Sequence, residues 1–315
     1  MGILIGDIGG TNSRLALADG SGITTGTTQE LRNAGYAGLA PLLQDYLAAL
    51  PAHTRPRRAA LAVAAPVQGD AVTLTNNGWR ISRPELQAAL GLDDLLLLND
   101  FEALAWSLPS LRPQELVQIG RGTARPEAAR AVLGPGTGLG VAGLVRVHGG
   151  WQALAGEGGH VTLAAGDELE ERVIGLARRR FGHCSAERLL SGAGLAFLHA
   201  ALHGGQELAP EAVGQRIDAG EADATATLGV FFRLLGSVAG NVALTFGALG
   251  GVYIGGGIVR RYAAAFAASD FRARFEAKGR YRDYLGEIPT WLITAQHPAL
   301  TGLLVRARRE AGGGY

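Results

Sequence analysis

Gly6-Asp7-Ile8-Gly9-Gly10-Thr11-Asn12 lies between two short apolar runs, Ile3–Gly6 and Arg14–Ala18. A second β-type run follows the glycines where a nucleotide-binding crossover would place a helix. The stretch therefore reads as strand–turn–strand, a hairpin. The pattern recurs further along. Ala131–Leu133 reads as a strand, Gly134-Pro135-Gly136-Thr137-Gly138-Leu139-Gly140 as a turn, and Val141–Val147 as another strand. A Gly138-x-Gly140-x-x-Gly143 match inside the second turn invites a dinucleotide reading, but VAGLVRV follows it, a β-rich run where the helix would have to begin. Two halves, each opening on a glycine hairpin and continuing with alternating strands and helices, imply an internal duplication.

The periodicity between the hairpins fills in the rest. Leu39, Leu42, Leu43, Tyr46, Leu47 and Leu50 share one helical face. Ala59–Ala65 reads as a buried strand. Ser82 to Glu85 has capping-box spacing ahead of a helix that stops at Gly91. Leu95–Leu98 is a second buried strand ending in Asn99-Asp100, with a helix over Phe101–Leu108. In the second half the expected helices are Asp167–Phe181, Gly192–His203 and Ala222–Phe246, followed by a strand at Val252–Ile254. A last helix, Leu300–Ala311, should turn its arginines to solvent. Leu234–Val259 carries no charge over 26 residues, long enough to cross a bilayer, yet it divides into an apolar helix and a short strand. The boundary near Pro109–Pro113 reads as a hinge.

Composition excludes much. At roughly 100 to 200 residues per domain, 315 residues suggest two domains. Lys+Arg 29 against Asp+Glu 28 leaves a net charge of +1, so no charge field advertises nucleic acid or an anionic membrane. There is one lysine, Lys278, so the glycine turns contain no Walker-type lysine. Cys184 is the single cysteine and can form neither an internal disulfide nor a cysteine-based zinc cluster. The start, MGILIGDIGG, lacks a basic region and a long apolar core, so no secretory signal is read and the cytoplasm is the expected compartment.

Five groups of residues carry candidate chemistry. Glycines of the first turn let the backbone approach a phosphate, Thr11 and Asn12 add donors, and Asp7 could hold Mg²⁺ through water, or the stretch is a plain hairpin turn in which Asp and Gly supply unusual dihedrals. The second turn, Gly136, Thr137 and Gly138, mirrors the first. Gly255-Gly256-Gly257 follows a buried strand and leaves room for a flat base, or is a plain strand-end turn. Asn99-Asp100 lies at the carboxyl end of an apolar strand, where open α/β sheets place ligands. A carboxylate there could accept a hydroxyl proton, or the pair could simply cap the following helix. Glu157, His160 and Glu187 suit the several hydroxyls of a sugar, or His160 is simply a satisfied turn histidine and Glu187 a solvated residue in the first turn of a helix.

In order, GDIGGTNSRLALAD, APVQGDAVTLTNNGW, LLLLNDFEALAWSLP, LGPGTGLGVAGL, LAGEGGHVTLA, SAERLLSGAGL and GGVYIGGGIVRR closely resemble the bacterial glucokinase family. This is the hexokinase-like group of the actin-like ATPase superfamily. DIGGT is shared widely, whereas NDFEA with GEGGH and SAERLLSG is much narrower. The cysteine-rich zinc motif of the repressor/open-reading-frame/kinase group is lacking. The resemblance implies a two-domain α/β fold of ribonuclease H-like type, mixed sheets flanked by helices, with an interdomain cleft. The expected division is a smaller domain over 1–110 plus 299–315 and a larger one over 111–298. It also implies ATP- and Mg²⁺-dependent phosphorylation of glucose at its 6-hydroxyl in a cytoplasmic homodimer, the entry step of glycolysis. By motif position, Asp100 corresponds to the catalytic base, and Asn99, Asp100, Glu157, His160 and Glu187 to sugar ligands. Asp7, Gly9, Gly10, Thr11 and Asn12 correspond to the first phosphate motif, with Mg²⁺ on Asp7 through water. Gly136, Thr137 and Gly138 correspond to the second, and Gly255, Gly256 and Gly257 to the adenosine region. Thr75-Asn76-Asn77-Gly78-Trp79 is expected to supply a further sugar contact. The alternatives are a kinase for a related hexose or amino sugar, and a sugar-sensing protein whose catalysis has decayed.

Overall fold

The computed structural model describes residues 2–74 and 77–311. The chain forms two compact units. The first comprises Met1–Leu111, Val147–Ala155 and Ala295–Tyr315; the second comprises Arg112–Arg146 and Gly156–Thr294.

The first unit is built on β1 (Ile3–Ile8) and β2 (Asn12–Ala18), antiparallel with Asp7 opposite Arg14. β3 (Gln29–Arg32) adds to β2, and α1 (Leu39–Ala48) follows. β4 (Arg58–Val63) runs parallel to β1. After the small hairpin of β5 (Ala71–Thr73) and β6 (Arg80–Ser82) come α2 (Arg83–Leu90), β7 (Asp94–Asn99) and α3 (Asp100–Ser107). The sheet order is β3-β2-β1-β4-β7. Leu4, Ile8, Leu15, Leu61, Val63 and Leu97 form its core with Leu42, Leu43 and Tyr46 of α1. β4 is apolar almost throughout because covered parallel strands bury both faces.

Ser82 does not cap α2 through its side chain. It closes the β5–β6 ladder opposite Ala71, and the Arg83 amide donates to Asp70 O instead (2.8 Å). The stop at Gly91 is as expected: its φ of 65° is left-handed, which suits glycine.

The second unit repeats the opening theme. β8 (Leu116–Ile119) leads to β9 (Arg130–Pro135) and β10 (Leu139–Val147), antiparallel with Val141 opposite Leu133. β11 (Gly150–Gly156) follows, counted mostly with the first unit. Next come α4 (Glu168–Phe181), α5 (Ala186–Leu189), α6 (Gly192–His203), α7 (Pro210–Asp218) and α8 (Ala222–Phe246). β12 (Val252–Ile254) pairs parallel with β9. α9 (Gly257–Arg261), α10 (Ala263–Ala267), α11 (Phe271–Glu276) and α12 (Arg282–Glu287) precede β13 (Thr290–Ile293), which is parallel to β12. Within this unit the strands run β10-β9-β12-β13-β8. Each sheet therefore has an antiparallel glycine hairpin with parallel strands added on the side of its first strand. Because β10 continues straight from the second turn, the dinucleotide reading of Gly138-x-Gly140-x-x-Gly143 fails.

α8 is the uncharged stretch's helix and is long and apolar enough to span a membrane, but 67% of that window is buried inside the protein. Phe231, Phe232, Leu234 and Leu235 are its core residues, packed with Phe266, Phe271 and Phe275. The final helix, α13 (Pro298–Ala311), returns to the first unit and lies on α3. Its arginines do not simply face solvent. Arg306 and Arg309 sit over the Trp106 ring at 5.7 and 5.5 Å, and the exposed Arg308 donates to Asp19 O and Gly20 O.

Candidate active site

In the first unit, the β1–β2 turn is closed by the Gly9 amide donating to Asn12 O at 3.0 Å. Buried Asn33 holds the turn from the far end of β3. Its Nδ2 donates to Gly9 O, its amide to Thr11 O, and its Oδ1 accepts from Ser13 Oγ, all at 2.8 Å. Asn12 Nδ2 donates to Glu30 (2.8 Å), while Asn12 Oδ1 is buried with no hydrogen-bond partner. Asn77 reaches the same turn, donating to Gly10 O at 3.4 Å. Thr75 and Asn76, part of the expected sugar contact, lie outside the described residues.

Asp7 keeps 22% of its side-chain exposure, with Arg14 Nη1 3.7 Å from its Oδ2. Desolvation by the surrounding protein nevertheless pushes its carboxyl up from the usual carboxylate range, and Arg14 and then His297 only partly oppose this. The partly exposed Asp7 carboxylate and the orphaned Asn12 Oδ1 are hard oxygen donors of the kind Mg²⁺ takes, and they are the residues of this turn that would hold it.

Asn99 and Asp100 stand at the same sheet edge. Ile8 pairs with Val63, and Val63 with Asn99, so the turn and the pair are two strands apart, roughly 10 Å at normal strand spacing. Asn99 Oδ1 accepts from the Phe101 and Glu102 amides (2.9 and 3.2 Å) and caps α3. Asp100 Oδ1 accepts from the Phe101 amide at 2.9 Å. The capping alternative therefore describes Asn99's oxygen, while its Nδ2 donates weakly to Ala65 O (3.4 Å).

The second unit carries the remaining residues. Glu157 precedes a 3₁₀ turn, Gly158–His160. The strand-like bridge Thr162–Ser185, with Leu163 N–H to Cys184 O (2.9 Å) and Ala186 N–H to Val161 O (3.0 Å), ties that turn to α5. This brings Glu187 beside His160. His160 Nε2 lies 3.7 Å from Glu157 Oε2 and His160 Nδ1 3.9 Å from Glu187 Oε1. Both separations exceed hydrogen-bond length, so His160, the Glu157 carboxylate and Oε1 of Glu187 converge without bonding one another. His160 and Glu157 are more than half exposed, as a ligand-facing set should be.

The β9–β10 turn adjoins them. Gly136 N–H donates to Gly138 O (2.8 Å), and Gly136 O accepts from the Gly192 amide at the start of α6 (2.9 Å). Gly255 N–H donates to Leu133 O (2.9 Å), so the third glycine cluster lies at the same sheet edge as this turn. A Cβ at Gly134 would sit 2.6 Å from the Gly255 carbonyl carbon, and Gly256 has a φ of 92°. Close packing of two strand ends thus explains part of the Gly255–Gly257 cluster. Thr137 enters none of the turn's hydrogen bonds described above.

Sequence reasoning missed Asn33 and Glu30, which hold the first turn. The signal for them is weak: a polar residue after a short edge strand.

A family model described as Glucokinase matches residues 4–310. A glucokinase of Chromobacterium violaceum is 50% identical over 95% of this chain and 87% of its own length. The "Bifunctional protein glk" of Paraburkholderia xenovorans is 44% identical over 95% of this chain, which spans about half of that relative, 48%. Among solved structures, a glucokinase from an Antarctic psychrotroph superposes with a TM-score of 0.85 at 36% identity, covering 98% of this chain and 99% of that one.

Proposed function

We propose, for a chain that belongs to the glucokinase family, that it transfers the γ-phosphoryl group of ATP to the 6-hydroxyl of glucose, giving glucose 6-phosphate and ADP. The observation that carries this reading is the convergence of His160 with Glu157 and Glu187 beside the second glycine turn. Sugar-hydroxyl ligands and a phosphate turn then belong to one local structure.

Asn99, Glu157, His160 and Glu187 bind the sugar, and Asp100 accepts the 6-hydroxyl proton as its oxygen attacks phosphorus. Phosphoryl transfer has a loose transition state, so placement within hydrogen-bond reach matters more than a strong base. Amides of Gly9–Asn12 and Gly136–Gly138 receive phosphate oxygens, and Gly255–Gly257 the adenosine. Asp7, through water, would hold Mg²⁺, which neutralises phosphate charge when bound. We also read the chain as a cytoplasmic homodimer, for which light scattering of the purified protein should give twice the chain mass; a monomer mass would remove that part.

Asp100→Ala tests the assignment. Turnover should fall about a hundredfold to ten-thousandfold while glucose affinity stays within about tenfold. Near-normal turnover would show that Asp100 is not the base.

A further inference from the structure

We propose that Glu187 is a positioning residue for the second phosphate turn as well as a sugar ligand. Sugar and nucleotide sites would then share one carboxylate. The proposal rests on the reading of the site given above and adds a second role to one of its residues.

The two carboxylate oxygens have different neighbours. Oε2 accepts from the Leu139 amide at 2.9 Å, at the point where the turn becomes β10. Oε1 is the oxygen nearer His160. Glu187 fits so tightly against the turn that a Cβ on Gly138 would overlap Oε2. A side chain at 138 would have to push this carboxylate aside. A second tether comes from the same stretch of chain, because Gly192 N–H holds Gly136 O. The segment from α5 to the start of α6 therefore braces both ends of Gly136–Gly138. One of the two braces is also a sugar ligand.

This arrangement gives a physical route for coupling. A hydroxyl donating to Glu187 draws on the carboxylate that fixes the turn, so occupancy of either site changes the free energy of the other, and by the same factor in both directions. A charge-assisted hydrogen bond is worth enough to matter at that level.

The experiment is calorimetric titration of Mg-AMPPNP into the full chain with no sugar present. Glu187→Ala should weaken binding about tenfold, because the Leu139 amide loses a charged acceptor. Glu187→Gln, whose amide oxygen can still accept from Leu139, should restore affinity to within about threefold. Glu157→Ala removes a sugar ligand with no hydrogen bond to the turn and should leave nucleotide affinity unchanged. Glucose titrations should show weakened sugar binding in all three. If Glu187→Ala does not fold, Glu187→Asp serves in its place: its carboxylate, one methylene shorter, draws back from the Leu139 amide and should weaken Mg-AMPPNP similarly. A role confined to sugar binding predicts that Glu187→Ala or Glu187→Asp binds nucleotide as the unaltered chain does, and that result overturns the proposal. Failure of the unaltered chain to bind Mg-AMPPNP would overturn the phosphate-turn reading, and the brace with it.

Discussion

Burial holds the Asp7 carboxyl above its usual pKa, whereas the role proposed for it asks it to be charged. The folded chain therefore binds that proton more readily than the unfolded chain, and ionised Asp7 costs stability at neutral pH that is relieved as pH falls. Asp7→Asn should raise Tm and abolish turnover; a lower Tm with activity retained would remove Asp7 from the site. His199 behaves in the opposite sense. Burial, then His203 and Arg216, lower its pKa from 6.5, and Asp223 and Glu221 only partly offset them. Its Nδ1 meets Thr227 Oγ1 at 3.1 Å, and because that hydroxyl donates to Asp223 O, the histidine must be the donor. The stability that neutral His199 contributes is present above about pH 6.5 and lost as pH falls below it. Tm should then drop more steeply below that pH in the unaltered chain than in His199→Asn; parallel curves would show that His199 does not drive the loss. At this scale Glu157, His160 and Glu187 were legible from the residues alone only as types in glycine-rich or loop-like surroundings, and their assignment to a sugar came from the resemblance. Asn33 was not legible, because its role depends on a strand pairing that brings it back across 20 residues to Ser13.

α3 begins at Asp100, and what fixes α3 is α13. Gly302 lies against Ala103 O and Ser107 N so closely that any Cβ would overlap the α3 backbone. Gly302→Val should cost about 2–3 kcal/mol and lower Tm by roughly 5 °C, with turnover falling as Asp100 shifts. Unchanged Tm and turnover would mean the two helices are less tightly coupled than their packing indicates. α6 and α8 were readable to the residue from apolar periodicity and flanking glycine. α9 to α12 were not, since none exceeds six residues and none completes an apolar repeat. The Ser82 capping box failed for a related reason: spacing alone does not reveal that Ser82 is engaged in a strand pair.

For the whole molecule, the duplication was visible as two glycine hairpins, and the structure gives each hairpin its own sheet and its own apolar core. The excursion of Val147–Ala155 to the first unit left no trace in the sequence, because division into units follows contacts and not composition. Each unit carries one glycine turn and part of the polar set: Asp7, Asn99 and Asp100 in the first, Glu157, His160 and Glu187 in the second. A charge of +1 gives the molecule no general attraction for polyanions, so the proposed phosphate recognition would fall to those local turns. The most direct test of the account is ADP release from Mg-ATP by the purified chain, with no sugar and then with glucose, mannose, fructose or N-acetylglucosamine. The account predicts release that depends on glucose and greatly exceeds that with the other sugars. Equal or greater release with another sugar would contradict the glucose assignment, and no sugar-dependent release at all would contradict the kinase.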